Sequence, residues 1–154
     1  MSSTIKLQPN DKAPEFALPN ADGAEISLKD FAQKTIILYF YPKDNTPGCT
    51  IEAQDFSALL TQFYAKNAVV IGVSPDSPTC HQNFARKHNL VHILLSDPDK
   101  TTASAYGAYG EKMMYGKKLM GIIRSTFIIQ NGVIKHAFYN VKAKGHAQAV
   151  LDLL

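Results

Sequence analysis

The sequence predicts an α/β domain in which helices flank a mixed central sheet, with an N-terminal β-hairpin before it. Residues 35–41 and 68–73 are apolar, rich in β-branched and aromatic side chains and free of charge, which is typical of strands buried on both faces. A helical pattern lies between them, so these two strands are expected to pair in parallel through a crossover. Further along, Asn131 and Gly132 separate two apolar runs, a strong signal for an antiparallel hairpin.

The N-terminal elements follow from turn chemistry. Residues 16–18 and 26–28 are short apolar segments on either side of the turn-forming residues 20–23, which predicts the first hairpin. A single helical turn is predicted over residues 28–31, just before the first central strand.

The later elements are predicted from periodicity and from helix-start signals. Ser77 and Pro78 have the residue types of an N-cap and a first helical position, so a helix is predicted from there to about residue 89. The pattern then predicts a short strand (92–95), a helix (100–106), two strands (122–130 and 133–140) and a final helix (146–154). Residues 107–121 contain four glycines and no clear period, and are predicted to be a mobile loop. All 154 residues are predicted to form one domain.

The chemistry of the chain is predicted to centre on Cys49. The first central strand stops at Pro42, and Thr46 and Pro47 have the residue types of an N-cap and a first helical position, which predicts a helix ending near residue 67. Cys49 is then its third residue. First-turn amides lack intrahelical partners and the helix dipole is positive there, so a thiolate is favoured over a thiol. The alternative is a buried, inert cysteine.

A helix start alone does not ionise an ordinary thiol at neutral pH. Ionising most of it takes about 2.7 kcal/mol, whereas a helix terminus contributes roughly 0.3 to 1 kcal/mol, and up to about 2 in partly buried geometries. Two further groups are candidates. The hydroxyl of Thr46 is predicted to accept from the amide of Cys49, and Arg124 stands at an apolar strand start, where it either points to solvent or is paired. Glu52 and Asp55 are predicted to lie on a solvated helix face.

Composition narrows the classes of function. The net charge is +3 and the lysines are spread along the chain, which does not indicate a nucleic-acid surface. No apolar stretch approaches about 18 residues, and residues 1–4 lack a signal-peptide pattern, so a soluble cytoplasmic protein without a membrane partner is predicted. The only cysteines are Cys49 and Cys80, which favours a transient catalytic disulfide over a permanent one. The five histidines show no ligand spacing and are predicted to be structural or exposed.

Pro42, Thr46 and Cys49 fit the spacing Pro-x-x-x-Thr-x-x-Cys, and residues 42–50 resemble the active-site loop of the peroxiredoxins. The resemblance covers nearly the whole chain. Tyr-Phe-Tyr-Pro-Lys (39–43), Thr-Pro-Gly-Cys-Thr (46–50), Ser-Asp (96–97) and Gly-Ile-Ile-Arg-Ser-Thr-Phe (121–127) are similar to the Q, or bacterioferritin-comigratory, subfamily. It implies a thioredoxin-like fold and a cofactor-free thiol peroxidase acting on hydrogen peroxide and organic hydroperoxides. The Cys-x-x-Cys of thioredoxin itself is absent, because Cys49 is followed by Thr-Ile-Glu.

The resemblance also implies a role for each residue of the motif. Cys49 would be the peroxidatic cysteine that becomes a sulfenic acid. Arg124 would contact the thiolate and polarise the peroxide, Thr46 would help to hold the peroxide and the thiolate, and Pro42 would shield the thiol from water. The subfamily further suggests a monomer.

Cys80 is a candidate for the resolving cysteine. Many members of the subfamily carry that cysteine five residues after the peroxidatic one, where this chain has Gln54, and others carry it in the next helix, near the position of Ala85. Cys80 lies in that helix, about one turn nearer its start. As a third helical residue it is predicted to have a lowered pKa. Bridging it to Cys49 would need Cα atoms within about 7 Å and therefore local unwinding. Thioredoxin is the implied reductant if Cys80 resolves; an external thiol replaces it if the enzyme uses one cysteine.

Two other functions stay open from the sequence. In a redox sensor or chaperone, oxidation of Cys49 would switch binding to a partner, and peroxide turnover would be slow. A Cys-His hydrolase would need a histidine beside Cys49, and no histidine has an evident placement there.

Overall fold

The computed structural model describes residues 6–154. Residues 1–4, which enter the prediction about a signal peptide, lie outside the described part of the chain. The strands are β1 Ala17–Pro19, β2 Glu25–Ser27, β3 Thr35–Phe40, β4 Ala68–Ser74, β5 Ile93–Ser96, β6 Tyr109–Met114, β7 Lys117–Ile122, β8 Ser125–Gln130 and β9 Val133–Phe138. The helices are α1 Pro47–Ala58, α2 Leu60–Ala65, α3 Pro78–His88, α4 Thr101–Ala105 and α5 His146–Leu151, and a 3-10 helix spans Leu28–Phe31.

The central sheet has five strands in the order β5-β4-β3-β8-β9. β3, β4 and β5 run parallel, while β8 pairs antiparallel with both β3 and β9, so the sheet is mixed as predicted. Leu38 at its centre lies opposite Ile71 on one side and Phe127 on the other. β1 and β2 form the predicted N-terminal hairpin.

The two faces of the sheet are covered by different elements, which explains why β3 and β4 are buried throughout. Alternate residues of β3 point to opposite faces. Ile37 and Tyr39 pack in a cluster with side chains of α1, α2, α3 and α5. Leu38 and Phe40 pack in a second cluster, with side chains of α4 and of the N-terminal segment. Both clusters are apolar, and together they hold the end of β3 that leads into α1.

The first predicted helix is interrupted. The sequence pattern predicts one helix to about residue 67, but α1 ends at Ala58 and α2 begins at Leu60. Leu59 between them has φ −98° and ψ 4°, which is outside the helical region. The break turns α2 onto β4, where Leu60 and Phe63 are buried.

The segment 107–121 is not a loop, and that prediction is wrong. β6 and β7 pair antiparallel over six residue pairs, with Tyr115 and Gly116 as a two-residue turn. Both turn residues have positive φ, 53° and 77°, as the tight turns of twisted hairpins require. The sequence does not predict this hairpin for two reasons. Its turn lacks the usual Asn-Gly or Asp-Gly pair, and lysines interrupt the alternation of apolar and polar residues that is typical of a strand. The strand predicted over 122–130 is consequently split, and Arg124 lies in the connection between β7 and β8.

Candidate active site

The peptide before α1 delivers Cys49 as predicted. Thr46 occupies the N-cap position with φ −81° and ψ 154°, Pro47 is the first helical residue and Cys49 the third. The thiol is buried, with 1% of the residue exposed. A sulfur at this position lies in the first turn of α1, where the orphan amides and the helix dipole favour negative charge.

The cap contact predicted for Thr46 is wrong. Its hydroxyl donates to the carbonyl oxygen of Lys43 at 2.8 Å and does not accept from the amide of Cys49. Its own carbonyl accepts from the amide of Thr50 at 2.9 Å, so the backbone still starts the helix. This bond connects two residues of the segment 42–46 that precedes α1, which is called the reactive loop below. Because that bond uses the hydroxyl hydrogen, the lone pairs of the oxygen stay available as acceptors.

Arg124 is paired, which decides between the two placements considered for it. Its Nη2 donates to Sγ of Cys49 at 3.3 Å, and its Nη1 donates to Oε1 of Glu52 at 2.7 Å. Its side chain is 17% exposed. Gly48 makes the approach feasible, because a Cβ there would lie 3.2 Å from Nη2. The thiol of Cys49 is therefore in contact with a cation, which adds to the helix dipole in favouring its ionised form.

Glu52 is the residue of this cluster that the sequence interpretation missed. The sequence pattern predicts a solvated face for Glu52, but its side chain is fully buried beside Arg124. Burial raises the pKa of its carboxyl to about 7, and the charge of Arg124 opposes the rise. Its Oε2 has no hydrogen-bond partner among the described residues. The spacing does indicate that Glu52 lies near Cys49, since residues three positions apart are neighbours on one face of a helix.

A cleft of about 690 Å³ leads to this cluster. Pro42 and Arg124 line it on the side of the reactive loop, and Lys112 and Met113 line it from the β6–β7 hairpin. Nζ of Lys112 donates to the carbonyl oxygen of Ile122 at 2.9 Å. The sequence does not single out Lys112, because the pattern predicts a loop over residues 107–121.

Cys80 lies apart from this cluster. It is the third residue of α3, and its amide donates to the hydroxyl of Ser77 at 3.1 Å, which confirms that residue as the N-cap. Its Sγ lies 3.8 Å from Oδ1 of Asp76. Burial raises the pKa of the Cys80 thiol, and the carboxylates of Asp76 and Asp44 raise it further, so the predicted lowering is wrong. Both cysteines are free thiols.

A buried set of hydrogen bonds joins the reactive loop to α3. The carboxylate of Asp44 accepts from Tyr41 at 2.6 Å and lies 2.7 Å from Nδ1 of His81. Nε2 of His81 lies 2.9 Å from the carbonyl oxygen of Leu95. Each ring nitrogen of His81 therefore lies beside an oxygen, and the ring connects Asp44 to the end of β5. The amide of Asp44 also donates to Asp76 at 2.8 Å, so the reactive loop is fastened to the start of α3 at two points.

The other inward-facing histidines are structural, as predicted. Nδ1 and Nε2 of His92 pair with Ser57 and Tyr39, and Nε2 of His146 pairs with Thr126. Cys49 has a guanidinium beside it where a Cys-His hydrolase would have an imidazole. The geometry of the described residues therefore gives the hydrolase alternative no support.

The comparison with known families decides the assignment. The family model for the AhpC/TSA family matches residues 9–137. The chain belongs to the AhpC/TSA family. Among curated relatives, the Helicobacter pylori protein named as a peroxiredoxin, bcp, is 61% identical over 150 residues, covering 97% of this chain and 99% of its own length. Peroxiredoxin Bcp of Bacillus subtilis is 43% identical over 151 residues, covering 97% and 96%.

Solved structures agree with this family. A Xylella fastidiosa PrxQ mutant superposes with a TM-score of 0.90 at 37% identity, covering 97% of this chain and 96% of its own. A Xanthomonas campestris bacterioferritin comigratory protein, described with alkyl peroxide reduction activity, has a TM-score of 0.86 at 39% identity, covering 98% and 96%. The predicted thioredoxin-like peroxiredoxin fold is confirmed, and the chain is a thiol peroxidase of the Bcp, or peroxiredoxin Q, group.

No helix within residues 6–154 is both long and apolar enough to span a bilayer.

Proposed function

We propose that this peroxiredoxin reduces hydrogen peroxide and organic hydroperoxides with Cys49 as the peroxidatic residue. The observation that carries the proposal is the 3.3 Å contact of the Arg124 guanidinium with the Cys49 sulfur, at a buried helix start beside an open cleft. The guanidinium and the helix dipole both favour an ionised sulfur nucleophile and oppose the cost of burying its charge. A buried structural cysteine has no need of a charged partner.

The first half of the cycle oxidises Cys49. Its thiolate attacks one oxygen of the hydroperoxide, a sulfur–oxygen bond forms as the oxygen–oxygen bond breaks, and the sulfur becomes a sulfenic acid. The leaving alkoxide or hydroxide takes up a proton and departs as alcohol or water. Arg124 donates toward the oxygen on which charge develops. Thr46 offers its oxygen lone pairs to the hydroperoxide hydrogen, and Pro42 limits access of water at the cleft wall.

The second half of the cycle returns the thiol. We propose that Cys80 attacks the sulfenic sulfur of Cys49, forming a disulfide and releasing water. The Asp76 and Ser77 contacts hold Cys80 at the start of α3, so the first turn of α1 has to unwind before the two sulfurs meet. A dithiol protein such as thioredoxin then reduces the disulfide by exchange. If Cys80 does not resolve, an external thiol reduces Cys49 directly.

The setting we propose is a cytoplasmic monomer whose single domain spans residues 1–154. The resemblance of the chain to the Q subfamily favours a monomer. Two free thiols without a structural disulfide suit a reducing compartment. The cycle uses no metal or organic cofactor and no nucleic-acid or membrane partner.

Intact mass under non-reducing conditions tests this scheme. The wild type and Cys80→Ser each receive one equivalent of hydrogen peroxide, and free thiols are counted in parallel. The expected result is loss of two hydrogens in the wild type and a sulfenic adduct at Cys49 in the variant. A wild type that stops at sulfenic or sulfinic Cys49 would remove Cys80 from the cycle, and an unoxidised Cys49 would overturn the site assignment.

A further inference from the structure

Lys112 differs from the other lysines of the β6–β7 hairpin. Lys117 and Lys118 are exposed, whereas Lys112 is half-buried and its Nζ donates to the carbonyl oxygen of Ile122 at 2.9 Å. The ammonium therefore has a defined position at the wall of the cleft. Most surface lysines keep several rotamers and hold no such position.

Gly121 makes room for this arrangement. A Cβ built on Gly121 would lie 3.0 Å from Cε and 3.6 Å from Nζ of Lys112. The φ of Gly121 is not positive, so the backbone does not demand glycine at this position. Glycine is favoured here because it has no side chain, so that the side chain of Lys112 can lie directly over its backbone.

The ammonium of Lys112 shares the cleft with Arg124. Both residues line it, and the carbonyl that Lys112 binds belongs to Ile122, two residues before Arg124. Burial lowers the pKa of Lys112, the charge of Arg124 lowers it further, and Cys49 acts in the opposite direction. Two cationic side chains, those of Lys112 and Arg124, thus line one cleft, and Arg124 contacts the Cys49 sulfur.

The charges of the site explain why a second cation is useful. Arg124 serves two acidic groups at once, the sulfur of Cys49 and the buried carboxyl of Glu52. When both are ionised, one guanidinium faces two negative charges. The oxygen that leaves the hydroperoxide carries a further negative charge until it is protonated.

We propose that Lys112 assists the peroxidase reaction electrostatically. Its ammonium, held over Gly121, acts together with Arg124 to stabilise negative charge on the Cys49 sulfur and on the departing oxygen. This rests on the proposed role of Cys49. The competing account is mechanical: Lys112 would only fasten β6 to β7, and its charge would not matter.

Three variants in a Cys80→Ser background separate the two accounts. Lys112→Met keeps the length and removes the charge, Lys112→Arg keeps the charge, and Lys117→Met removes an equal charge from an exposed position of the same hairpin. The first readout is the rate of alkylation of Cys49 by iodoacetamide as a function of pH. The second is the rate constant for hydrogen peroxide at pH 7. Hydrogen exchange of the hairpin amides reports whether the hairpin stays paired.

For Lys112→Met we expect the inflection of the alkylation profile to move to higher pH and the peroxide rate at pH 7 to fall about three- to tenfold, the size of one partly screened charge interaction. Lys112→Arg and Lys117→Met should retain the parent profile. A Lys112→Met profile that overlays the parent overturns the proposal, even if the hairpin loosens and activity falls. So does an equal shift in Lys117→Met, or a Lys112→Arg profile like that of Lys112→Met. If Cys49 were not peroxidatic, the parent itself would lack the peroxide rate while the alkylation profiles still reported on Lys112.

Discussion

Replacing Glu52 with glutamine should change how the stability of the protein depends on pH. The amide has nearly the shape of the carboxyl and can still accept from Nη1 of Arg124, but it cannot ionise. At low pH the two proteins should therefore differ little from each other. At high pH only the parent has to hold a charge at this buried position.

The size of the effect follows from the burial of Glu52. Burial raises the pKa of its carboxyl from an ordinary value of 4.5 to about 7, with Arg124 opposing the rise. Between these values the folded protein holds a proton that the unfolded chain has released. The contribution of Glu52 to the free energy of unfolding is therefore fully present below pH 4.5 and is lost as the pH rises through 7. At about 1.4 kcal/mol for each pKa unit, the loss amounts to about 3 kcal/mol. Relative to the parent, Glu52→Gln should gain about that much between pH 4.5 and pH 8.

Urea denaturation from pH 4.5 to 8 measures this difference. Both proteins should carry Cys49→Ser, so that no thiol titrates beside Arg124. The difference between them is the quantity to follow, because burial also lowers the pKa of His92 and His146, and both proteins share that acid sensitivity. Glu111→Gln, at an exposed acid of the same cleft, should show no such trend. A difference independent of pH, or a glutamine variant that is the less stable protein at pH 8, would refute the reasoning.

Three further outcomes are expected. Arg124→Met should lower the peroxide rate by about 10²- to 10³-fold while far-UV circular dichroism is unchanged, because one preorganised donor is lost; an unchanged rate would contradict the pairing with Cys49. Gly48→Ala should slow peroxide reduction several-fold without loss of stability, since its Cβ would crowd Nη2 at 3.2 Å while alanine favours the helix; stopped-flow rates and melting temperatures together check this. Burial lowers the pKa of His92 to about 3, so its contribution is present above pH 6.5 and is lost as pH falls, and His92→Gln should move the acid-unfolding midpoint to lower pH.

The start of α1 could be predicted because its determinants are local. Pro42 ends a strand, and Thr46 and Pro47 define the first helical position, so Cys49 falls in the first turn whatever the rest of the chain does. The partner of that thiol is not local. Arg124 is 75 residues away, and its own environment allowed either a paired or a solvated side chain until the sheet brought β3 and β8 together.

The failures of sequence interpretation have physical causes. Residue type predicts a solvated Glu52 because carboxylates rarely lie inside a protein, and the ion pair with the partly buried Arg124 is what makes the buried position tolerable. The β6–β7 hairpin was missed because Tyr115 and Gly116 replace the usual turn residues, and its lysines hide the period of a strand. Lys112 lies in this hairpin, so the sequence gives no indication of its position at the cleft. The hydroxyl of Thr46 can either donate to a nearby carbonyl or accept from a helix amide. In the structure it donates to the carbonyl oxygen of Lys43, and residue type alone does not predict which of the two bonds forms.

A comparison of the two cysteines as peroxide nucleophiles tests the assignment of Cys49 as the peroxidatic residue. Cys80→Ser and Cys49→Ser are mixed with hydrogen peroxide in a stopped-flow instrument, beside free cysteine at the same concentration and pH. We expect the protein that retains Cys49 to react faster than free cysteine by at least on the order of 10²- to 10³-fold, the contribution of one preorganised donor, and the protein that retains Cys80 to show no such acceleration. Equal rates for the two variants, or a rate at Cys49 no greater than that of free cysteine, would contradict the assignment.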